Sequence, residues 1–355
     1  MKRKGNILQE AASDLNVILA WREALRNKHH SVSAKKRFRD FEADLVTNLQ
    51  DVQNIILTGD WNVCEYRNKK CVQCGKVRNI DYNPSVRDSV IQHALAQTAG
   101  QYLINSCITD TYSGFVGRGT KLGRIRMLKF ISEYGKDQPI YCLKFDVHHF
   151  YESVNNEKLK LLLRRKLKDK TILKLFDALI DSHPNGLPIG NFLSQLLANY
   201  YLSPLDHFVK DKCGFRHYAR YCDDIVVISD SKQKLRGLFS QIVDLLKEYD
   251  LSVKANWQIF PIERYGIDYM GYVFRRNDLQ LRKRIERSIR RKAHECENPN
   301  AGKRKIQGLL SYWGWAKHLK RGKTFWNYAV GMSLRELKQR MKHDNVGRIA
   351  THECA

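Results

Sequence analysis

The sequence predicts an α+β fold in which an antiparallel sheet carries helices on one face. From about residue 139 onward, short apolar β-rich runs alternate with longer segments whose apolar residues recur at helical spacing, in the order β-α-α-β-β-α-β. That order is typical of antiparallel α+β sheets. The 355 residues are 43% hydrophobic and contain no Gly/Ser linker or fixed-period repeat, so we expect subdomains that pack on one another.

The N-terminal part is predicted to be helical, with one hairpin. Residues 1–60 are basic and mainly helical in pattern, and the cationic stretch 26–42 is either a solvated helix face or an RNA-contacting surface. Over residues 61–81 the pattern loosens, which predicts a hairpin. Pro84 and Ser85 then mark a helix start. Apolar residues at helical spacing follow: Val86, Val90, Ile91, Ala94 and Leu95.

The central part supplies the main strands. The segment PIYCLKFDV is apolar and predicts a buried strand that ends near Asp146. A Leu/Lys-rich helical region follows at 155–181, and the helix after the next turn is kinked or ended by Pro204. The segment FRHYARYCDDIVVIS then shows two short β-like runs around a polar centre.

The C-terminal part continues this pattern and then changes character. Residues 232–248 form a predicted amphipathic helix. The segments LSVKANWQIFP and YGIDYMGYVF follow as predicted strands. From about Asn277 the chain becomes densely cationic, as in DLQLRKRIERSIRRKAHE, and indicates a small helical module with a basic face.

The charge balance restricts the partners. Lys and Arg number 62 against 37 Asp and Glu, a formal net charge of +25, which favours a polyanion such as nucleic acid. An anionic membrane is the rival, but no apolar run approaches the roughly 20 residues that span a bilayer. The basic start MKRKGNILQE has no apolar segment behind it, and the nine Cys are scattered. We therefore expect a cytoplasmic protein with reduced thiols and no membrane association.

The sharpest local feature is a pair of adjacent carboxylates. Tyr221-Cys222-Asp223-Asp224 lies between Arg220 and an apolar strand, and Asp146 ends another predicted strand. An ordinary Asp-Asp turn explains the dipeptide alone. If the two strands are neighbours, Asp146 and Asp223 converge at one end of the sheet. Such an oxygen-rich site suits two Mg²⁺, which would activate a 3′-hydroxyl and stabilise a leaving pyrophosphate.

These residues carry a family resemblance. YCDD resembles the YxDD box of reverse transcriptases, and KFDVHHFYESV resembles the first catalytic strand of that family. The resemblance implies that Asp146, Asp223 and Asp224 are catalytic metal ligands, assisted by the carbonyl of Val147. Tyr151 falls where the family keeps a bulky aromatic that blocks a ribonucleotide 2′-hydroxyl; a plain core aromatic is the alternative.

Further blocks run in the family's order from about residue 60 to 281. GKVRNIDYNPSVRDSVIQHAL resembles the fingers region, in which Lys76 and Arg78 would hold the dNTP triphosphate. FVGRGT matches another block. GLPIGNFLSQ resembles the loop and helix that support the template and incoming nucleotide, which assigns such contacts to Ile189, Gly190, Ser194 and Gln195. GIDYMGYVF resembles the primer-gripping hairpin, which places near the primer end Met270, Gly271 and Tyr272.

The resemblance implies a right-hand polymerase. It places an N-terminal extension and helical/hairpin fingers in 1–139, and an antiparallel-sheet palm in 140–276 with a fingers-like helical insertion at about 155–189. It places a small helical basic thumb in 277–355. Thumb cations would grip the duplex of template RNA and cDNA through its backbone. The first of them are Arg282, Lys283 and Arg284.

One block indicates the branch of the family. Ile189-Gly190 stands where many reverse transcriptases have Gln-Gly, and Ser194-Gln195 stands where many have Ser-Pro. This form resembles the enzymes of diversity-generating retroelements, which bacteria and phages encode. It implies copying of a template-repeat RNA with errors at adenines for mutagenic retrohoming, and a basic oligomeric accessory variability protein as partner. Because Ile189 cannot donate side-chain hydrogen bonds, we hypothesise that it loosens checking of the nascent base pair.

Two departures from the family pattern concern a lysine and the cysteines. Trp257 occupies the region where related enzymes often place Lys, which leaves Lys254 as the candidate proton donor to pyrophosphate. The three cysteines of the fingers region would supply three of the four ligands of a zinc site, and His93 or Cys107 would supply the fourth. Unligated thiols are the favoured alternative. These cysteines are Cys64, Cys71 and Cys74.

Other functions remain open from the sequence. An RNA-templated RNA polymerase would share the two-metal palm, but Tyr151 argues against it. A non-catalytic RNA-binding scaffold is disfavoured by the intact carboxylates. A retron-type or group II intron-type reverse transcriptase is the main alternative branch. A basic membrane-surface protein is the weakest, because the cationic helices lack large apolar faces.

Overall fold

The computed structural model describes residues 3–26, 32–73, 76–298 and 301–349. Side chains at 72, 73, 76, 78 and 342–349 lie outside this description. The chain divides into two compact units. The first unit comprises Met1–Arg126 and Tyr141–Ile259, and the second comprises Met127–Ile140 and Phe260–Ala355. The sequence-based division into fingers, palm and thumb at 139 and 276 stays a prediction.

The first unit combines many helices with two antiparallel sheets. Its helices are α1 (Leu8–Ala11), α2 (Asp14–Leu25), α3 (Val32–Glu42), α4 (Leu45–Thr58), α5 (Val86–Gln97), α6 (Ala99–Ile104), α7 (Thr120–Ser132, which runs on into the second unit), α8 (Asn156–Lys166), α9 (Lys170–Asp181), α10 (Phe192–Tyr201), α11 (Ser203–His207) and α12 (Lys232–Glu248). Its strands are β1 (Arg67–Gln73), β2 (Lys76–Tyr82), β3 (Tyr141–Asp146), β4 (Tyr218–Tyr221), β5 (Asp224–Ser229) and β6 (Gln258–Pro261, at which the unit ends).

The main sheet has the strand order β4-β5-β3-β6, and the pairs β3–β5 and β4–β5 are antiparallel. Strand β5 is buried along nearly its whole length, since helices cover it. Helix α12 packs on β3 and β5 through apolar residues that recur every three or four positions. These are Leu235, Leu238, Ile242 and Leu246. The antiparallel sheet and the helix at 232–248 are therefore confirmed.

The helical part of the first unit also follows local sequence signals. Helix α5 begins where expected, because the Ser85 hydroxyl accepts a hydrogen bond from the Asp88 amide at 3.2 Å. Helix α10 ends before Pro204, which lies in the first turn of α11, where proline is tolerated. The β1–β2 pair confirms the predicted hairpin.

One predicted strand is mostly wrong. The segment 251–257 forms only an isolated bridge between Val253 and Val147, and β6 starts at Gln258. Trp257 instead stacks on Phe239 of α12, with ring centroids 3.9 Å apart. The aromatic side chain thus covers apolar surface rather than extending a strand ladder.

The second unit is a small sheet with helices. It contains α13 (Ile262–Tyr265), β7 (Ile267–Tyr269), β8 (Tyr272–Phe274), β9 (Leu279–Leu281), α14 (Lys283–Glu295), α15 (Lys303–Leu310), α16 (Trp313–Ala316), α17 (Gly322–Val330) and α18 (Leu334–Ile349). The three strands pair antiparallel in the order β7-β8-β9. Helix α14 buries Ile289 and Ala293 and is otherwise largely cationic, which confirms the basic helical character of the C-terminal segment. Among the described helices, none combines the length and apolar character that a bilayer crossing requires.

Candidate active site

The sheet brings the predicted carboxylates to one end. Strands β3 and β5 run antiparallel in a register that sets Asp146 opposite Asp224. Strands β4 and β5 are joined by a two-residue turn, and Tyr221 pairs with Asp224 across it. Cys222 in this turn has φ 57°, and the Val147 amide donates to the Asp223 carbonyl at 3.3 Å. The end of one strand and the tip of the neighbouring hairpin therefore place three carboxylates together.

A buried ion pair holds the hairpin from beneath. Arg220 is fully buried and donates to both carboxylate oxygens of Asp206, at 2.7 and 2.6 Å. Its remaining hydrogen bonds reach Asn199 and, at 3.1 Å, the carbonyl of Cys222 in the turn. Tyr218 also donates to Asp206 at 2.6 Å. A fork-shaped donor in a fixed position thus ties the turn to α11.

Two lysines partly balance the carboxylates. Lys254 Nζ lies 3.4 Å from Asp223 Oδ2 and 3.8 Å from Asp146 Oδ1, so its ammonium lies near both acids. Lys144 Nζ lies 3.3 Å from Asp224. Burial raises the pKa of Asp224 to about 7, although Lys144 lowers it and the Asp146 charge adds to the rise. Asp224 Oδ1 is buried and has no hydrogen-bond partner within the described residues.

The donor set fits a hard divalent cation in its chemistry. Carboxylate oxygens are the ligands that Mg²⁺ prefers, and the buried Asp224 Oδ1, which lies 3.3 Å from the Lys144 ammonium but accepts no hydrogen bond within the described residues, is a polar atom that a cation would satisfy. Within the described residues, however, no group of three His, Cys, Asp or Glu side chains is already close enough to hold a metal ion. The Lys254 ammonium lies beside both Asp146 and Asp223, where a cation shared by these two acids would also have to lie.

Tyr151 lies beside the hairpin tip. Its hydroxyl is 3.8 Å from Cys222 Sγ, and its backbone carbonyl accepts from Leu187 at 2.8 Å. Burial raises the pKa of the Tyr151 hydroxyl, with further contributions from Cys222 and Asp223. The structure therefore brings this aromatic ring to the turn that carries the carboxylates.

A model of a known protein family matches the part of the chain that carries these carboxylates. The model described as reverse transcriptase (RNA-dependent DNA polymerase) matches residues 67–274, more than half of the chain. The chain belongs to the reverse transcriptase family. The matched range contains both carboxylate-bearing strands and the hairpin at Cys222. No curated protein matches the sequence.

Solved structures agree on the fold. The apo telomerase of Candida Tropicalis is similar with a TM-score of 0.52 and 12% identity, over 80% of this chain and 59% of that chain. The Candida Tropicalis telomerase in complex with a TWJ fragment of telomeric RNA gives a TM-score of 0.52 and 12% identity, over 79% and 55%. The chain thus spans somewhat more than half the length of these telomerases. The predicted polymerase fold is confirmed.

The loop in the segment GLPIGNFLSQ lies against the β1–β2 hairpin. Ile189 is 44% exposed, so its side chain is accessible at the loop surface. The Gly190 amide donates to the Asp81 carbonyl at 3.1 Å, and a Cβ at this position would lie 2.4 Å from that oxygen. Contact with β2 therefore already requires glycine here, beside any substrate contact. The side chains of Lys76 and Arg78 lie outside the described part.

The helix that follows the loop buries its two predicted contact residues to different degrees. Ser194 is buried, and its hydroxyl has no hydrogen-bond partner in the described part of the chain. Gln195 is exposed, and its side-chain amide donates to Ser113 at 3.2 Å. Their contacts with template or nucleotide stay predictions.

The remaining predicted primer and template residues belong to the second unit. Met270 and Gly271 form the β7–β8 turn with φ of 47° and 84°, a pair of positive values that fits a type I′ hairpin. Tyr272 is buried and donates to the Trp315 carbonyl at 3.2 Å. Arg282 pairs with Asp268 at 2.5 Å. Lys283 and Arg284 are exposed at the start of α14.

Of the three cysteines predicted to hold zinc, the structure describes Cys64 and Cys71. Cys74 lies outside the described residues, so the proposed zinc trio stays a prediction. Cys64 is half-buried, and its amide donates to Asp88 at 2.7 Å, while Cys71 lies on β1. Cys107 is buried in the core, and burial raises the pKa of its thiol to about 12, which disfavours it as a metal ligand.

The Arg220–Asp206 pair was missed by sequence reasoning. An arginine inside an otherwise apolar strand is a signal, because a buried guanidinium needs a partner. The sequence pattern does not say which acid supplies it.

Proposed function

We propose that this chain is an RNA-directed DNA polymerase that copies a template-repeat RNA into cDNA. The observation that carries the proposal is the antiparallel register of β3 and β5, which sets Asp146 opposite Asp224 with Asp223 in the adjoining turn. Membership of the reverse transcriptase family supports the choice of reaction. The substrates are template RNA, a primer and dNTPs.

The proposed roles of the site residues are metal binding and proton donation. Asp146, Asp223 and Asp224, with the carbonyl of Val147, would hold two Mg²⁺. Bound there, Mg²⁺ would activate the primer 3′-hydroxyl and stabilise the charge on the leaving pyrophosphate. The Lys254 ammonium lies 3.4 Å from Asp223, and as the cation beside these acids it would be the proton donor to the leaving pyrophosphate.

We assign to Tyr151 the selection of deoxyribonucleotides over ribonucleotides. Its ring lies at the hairpin tip, and its backbone is fixed by the hydrogen bond from Leu187. A rigid aromatic at this place would exclude a 2′-hydroxyl by steric contact. Replacing Tyr151 with Ala should therefore raise incorporation of NTPs relative to dNTPs. Equal discrimination in the variant would favour the RNA-templated RNA polymerase alternative or a purely structural ring.

The principal test removes the carboxylates one at a time. Asp146→Ala and Asp223→Ala should abolish primer extension with Mg²⁺ and dNTPs on an RNA template, while RNA binding persists. The matched control is Asp244→Ala, because Asp244 is an exposed acid on α12 that pairs with its neighbour Lys247, away from the three carboxylates. Normal extension by either active-site variant would refute the assignment, and inactivity of the wild type on all templates would favour a non-catalytic scaffold.

We further propose that the enzyme serves a diversity-generating retroelement. The Ile189-Gly190 and Ser194-Gln195 pairs support this branch, and the exposed Ile189 side chain is available to influence the nascent base pair. Ile189→Gln should lower misincorporation opposite template adenine, measured by sequencing the cDNA. Unchanged errors would remove Ile189 as their cause. A basic oligomeric accessory variability protein is the proposed partner, and a retron-type or group II intron-type enzyme is the alternative branch.

Error-prone copying in this branch has a genomic counterpart. A near-duplicate pair of repeats beside the gene, differing at adenines, is the expected arrangement. Its absence would favour the alternative branch without affecting the polymerase assignment.

A further inference from the structure

The second unit contains an open groove of about 900 Å³. One wall is the N-terminal part of α14, another is α17 with the residues before it, and β9 and the end of α13 complete the lining. We call it the α14–α17 groove. Six of its lining residues matter for the argument: Arg264, Tyr265, Lys283, Lys320, Arg321 and Tyr328.

Two tyrosine rings in this groove are exposed. Tyr328 is 77% exposed and Tyr265 is 55% exposed. Two residues before Tyr328 on α17, Trp326 is fully buried and packs edge-on against Trp313 with centroids 5.4 Å apart. One helix thus directs one aromatic side chain into the core and another into the groove. Core packing explains the position of the first ring but not the exposure of the second.

An arginine guanidinium stacks on each of the two exposed tyrosine rings. Arg290 lies over the Tyr328 ring at 5.2 Å from its centroid, and Arg264 lies over Tyr265 at 5.1 Å. Glu286 holds Arg290 in this position through a hydrogen bond of 2.9 Å. A flat ring with a stacked guanidinium is a surface on which a nucleic-acid base can stack while the positive charge meets a phosphate.

The lining also contains cations that stack on neither tyrosine ring. Lys283, Lys320 and Arg321 have no carboxylate partner within the described residues. The lining holds six Lys and Arg side chains against two carboxylates, Glu286, which bonds Arg290, and Asp278. The groove therefore offers uncompensated positive charge beside two aromatic platforms.

We propose that the α14–α17 groove binds an unpaired nucleic-acid strand, with bases stacked on Tyr265 and Tyr328 and phosphates on the surrounding cations. In a duplex, the base faces are already stacked on one another, so a site for duplex backbone needs cations but gains nothing from exposed rings. An acidic peptide would likewise use the charge without the rings. The proposal adds a second nucleic-acid contact to the proposed polymerase, and the binding itself does not depend on catalysis.

The test measures binding of labelled oligonucleotides to the full-length protein by fluorescence anisotropy. The probes are a single-stranded RNA of mixed sequence, the DNA of the same sequence, and the blunt duplex. Tyr328→Leu and Tyr265→Leu should each weaken single-strand binding by about 5- to 100-fold, the range expected for loss of one stacked base. Tyr328→Phe keeps the ring and should bind within twofold of wild type. Because Tyr328 is 77% exposed, the thermal unfolding midpoint of Tyr328→Leu should not change.

The cations are tested by the salt dependence of binding. The double variant Lys320→Gln/Arg321→Gln should flatten the slope of log affinity against log salt by about 0.7 for each phosphate that the protein no longer neutralises. Arg236→Gln is the matched control, because this exposed arginine lies on α12 of the first unit, and it should leave the slope unchanged.

The outcomes separate the proposals. Wild-type binding by Tyr328→Leu, or an equal loss for single strand and duplex, would overturn the inference. Tighter binding of RNA than DNA would identify the template as the occupant, tighter binding of DNA would identify the cDNA, and equal binding would support the shared chemistry. Single-strand binding and primer extension are separate measurements, so failure of the polymerase proposal and failure of this one are distinguishable.

Discussion

Replacing Asp224 with Asn is expected to stabilise the metal-free protein above neutral pH. The pKa of Asp224 is raised to about 7, whereas an exposed aspartate titrates near 3.9. The difference of about three units corresponds to about 4 kcal/mol for holding the ionised group in the fold. The side chain is 22% exposed, and Asn cannot replace its interaction with Lys144, so a gain of about 2 kcal/mol is the working expectation.

The sign of the pH dependence follows from proton binding. Between about pH 4 and pH 7 the unfolded chain has lost the proton of Asp224 while the folded chain keeps it, so stability falls as pH rises through this window. Above pH 7 both states are ionised and the full cost is present. Asp224→Asn removes this contribution and should therefore match wild type near pH 4 and exceed it at pH 8.

The assay is thermal unfolding followed by circular dichroism in EDTA at pH 4.5 and pH 8. A gain of about 2 kcal/mol would raise the unfolding midpoint of Asp224→Asn by roughly 4–8 °C at pH 8. The matched control is Asp244→Asn, because that acid is exposed and its replacement should change neither midpoint. A variant that is no more stable than wild type at pH 8, or equally stabilised at both pH values, would refute the reasoning. Added Mg²⁺ should stabilise wild type more than the variant.

Three further substitutions test the surroundings. Lys254→Met should lower the Mg²⁺ concentration for half-maximal primer extension, since no ammonium competes for the carboxylates; a higher requirement would contradict this. Gly190→Ala should cost about 1–3 kcal/mol in denaturant unfolding because its Cβ meets backbone, whereas Gly119→Ala, with open space around it, should be neutral. Arg220→Met should cost about 3–5 kcal/mol, because Asp206 stays buried and unpaired, and a loss under 1 kcal/mol would show that the pair is dispensable.

Local sequence signals predicted much of the fold. Helix α12 begins and ends where its apolar periodicity does, at Lys232 and Glu248, and β3 ends at Asp146 as expected. In both segments the spacing of the apolar residues fits a single type of secondary structure. In addition, the Ser231 hydroxyl caps α12 by accepting a hydrogen bond from the Lys234 amide. The carboxylate convergence was also predictable, because strand ends and a hairpin tip have few ways to meet in one sheet.

Features set by contacts across the chain were not predictable. The strand expected at 251–257 is absent because Trp257 packs on Phe239, a contact that no local period specifies. Position 190 has no room for a side chain because the backbone of β2, about 110 residues earlier in the sequence, lies against it. In each case the deciding partner lies far away in the sequence, and only the packed fold identifies it.

The buried ion pair and the partly buried carboxylates form one electrostatic arrangement. Three carboxylates at one sheet end repel each other, and an unconstrained turn would relieve that repulsion by moving Asp223 away. Here Arg220 prevents such movement, because its fork is fixed on Asp206 and it also donates to the Cys222 carbonyl. The repulsion therefore persists in the folded protein, where Lys144 and Lys254 offset only part of it. Divalent cations bound at the proposed site would gain binding energy from relieving this repulsion, so the buried Arg220–Asp206 pair would increase the affinity of the site for such ions.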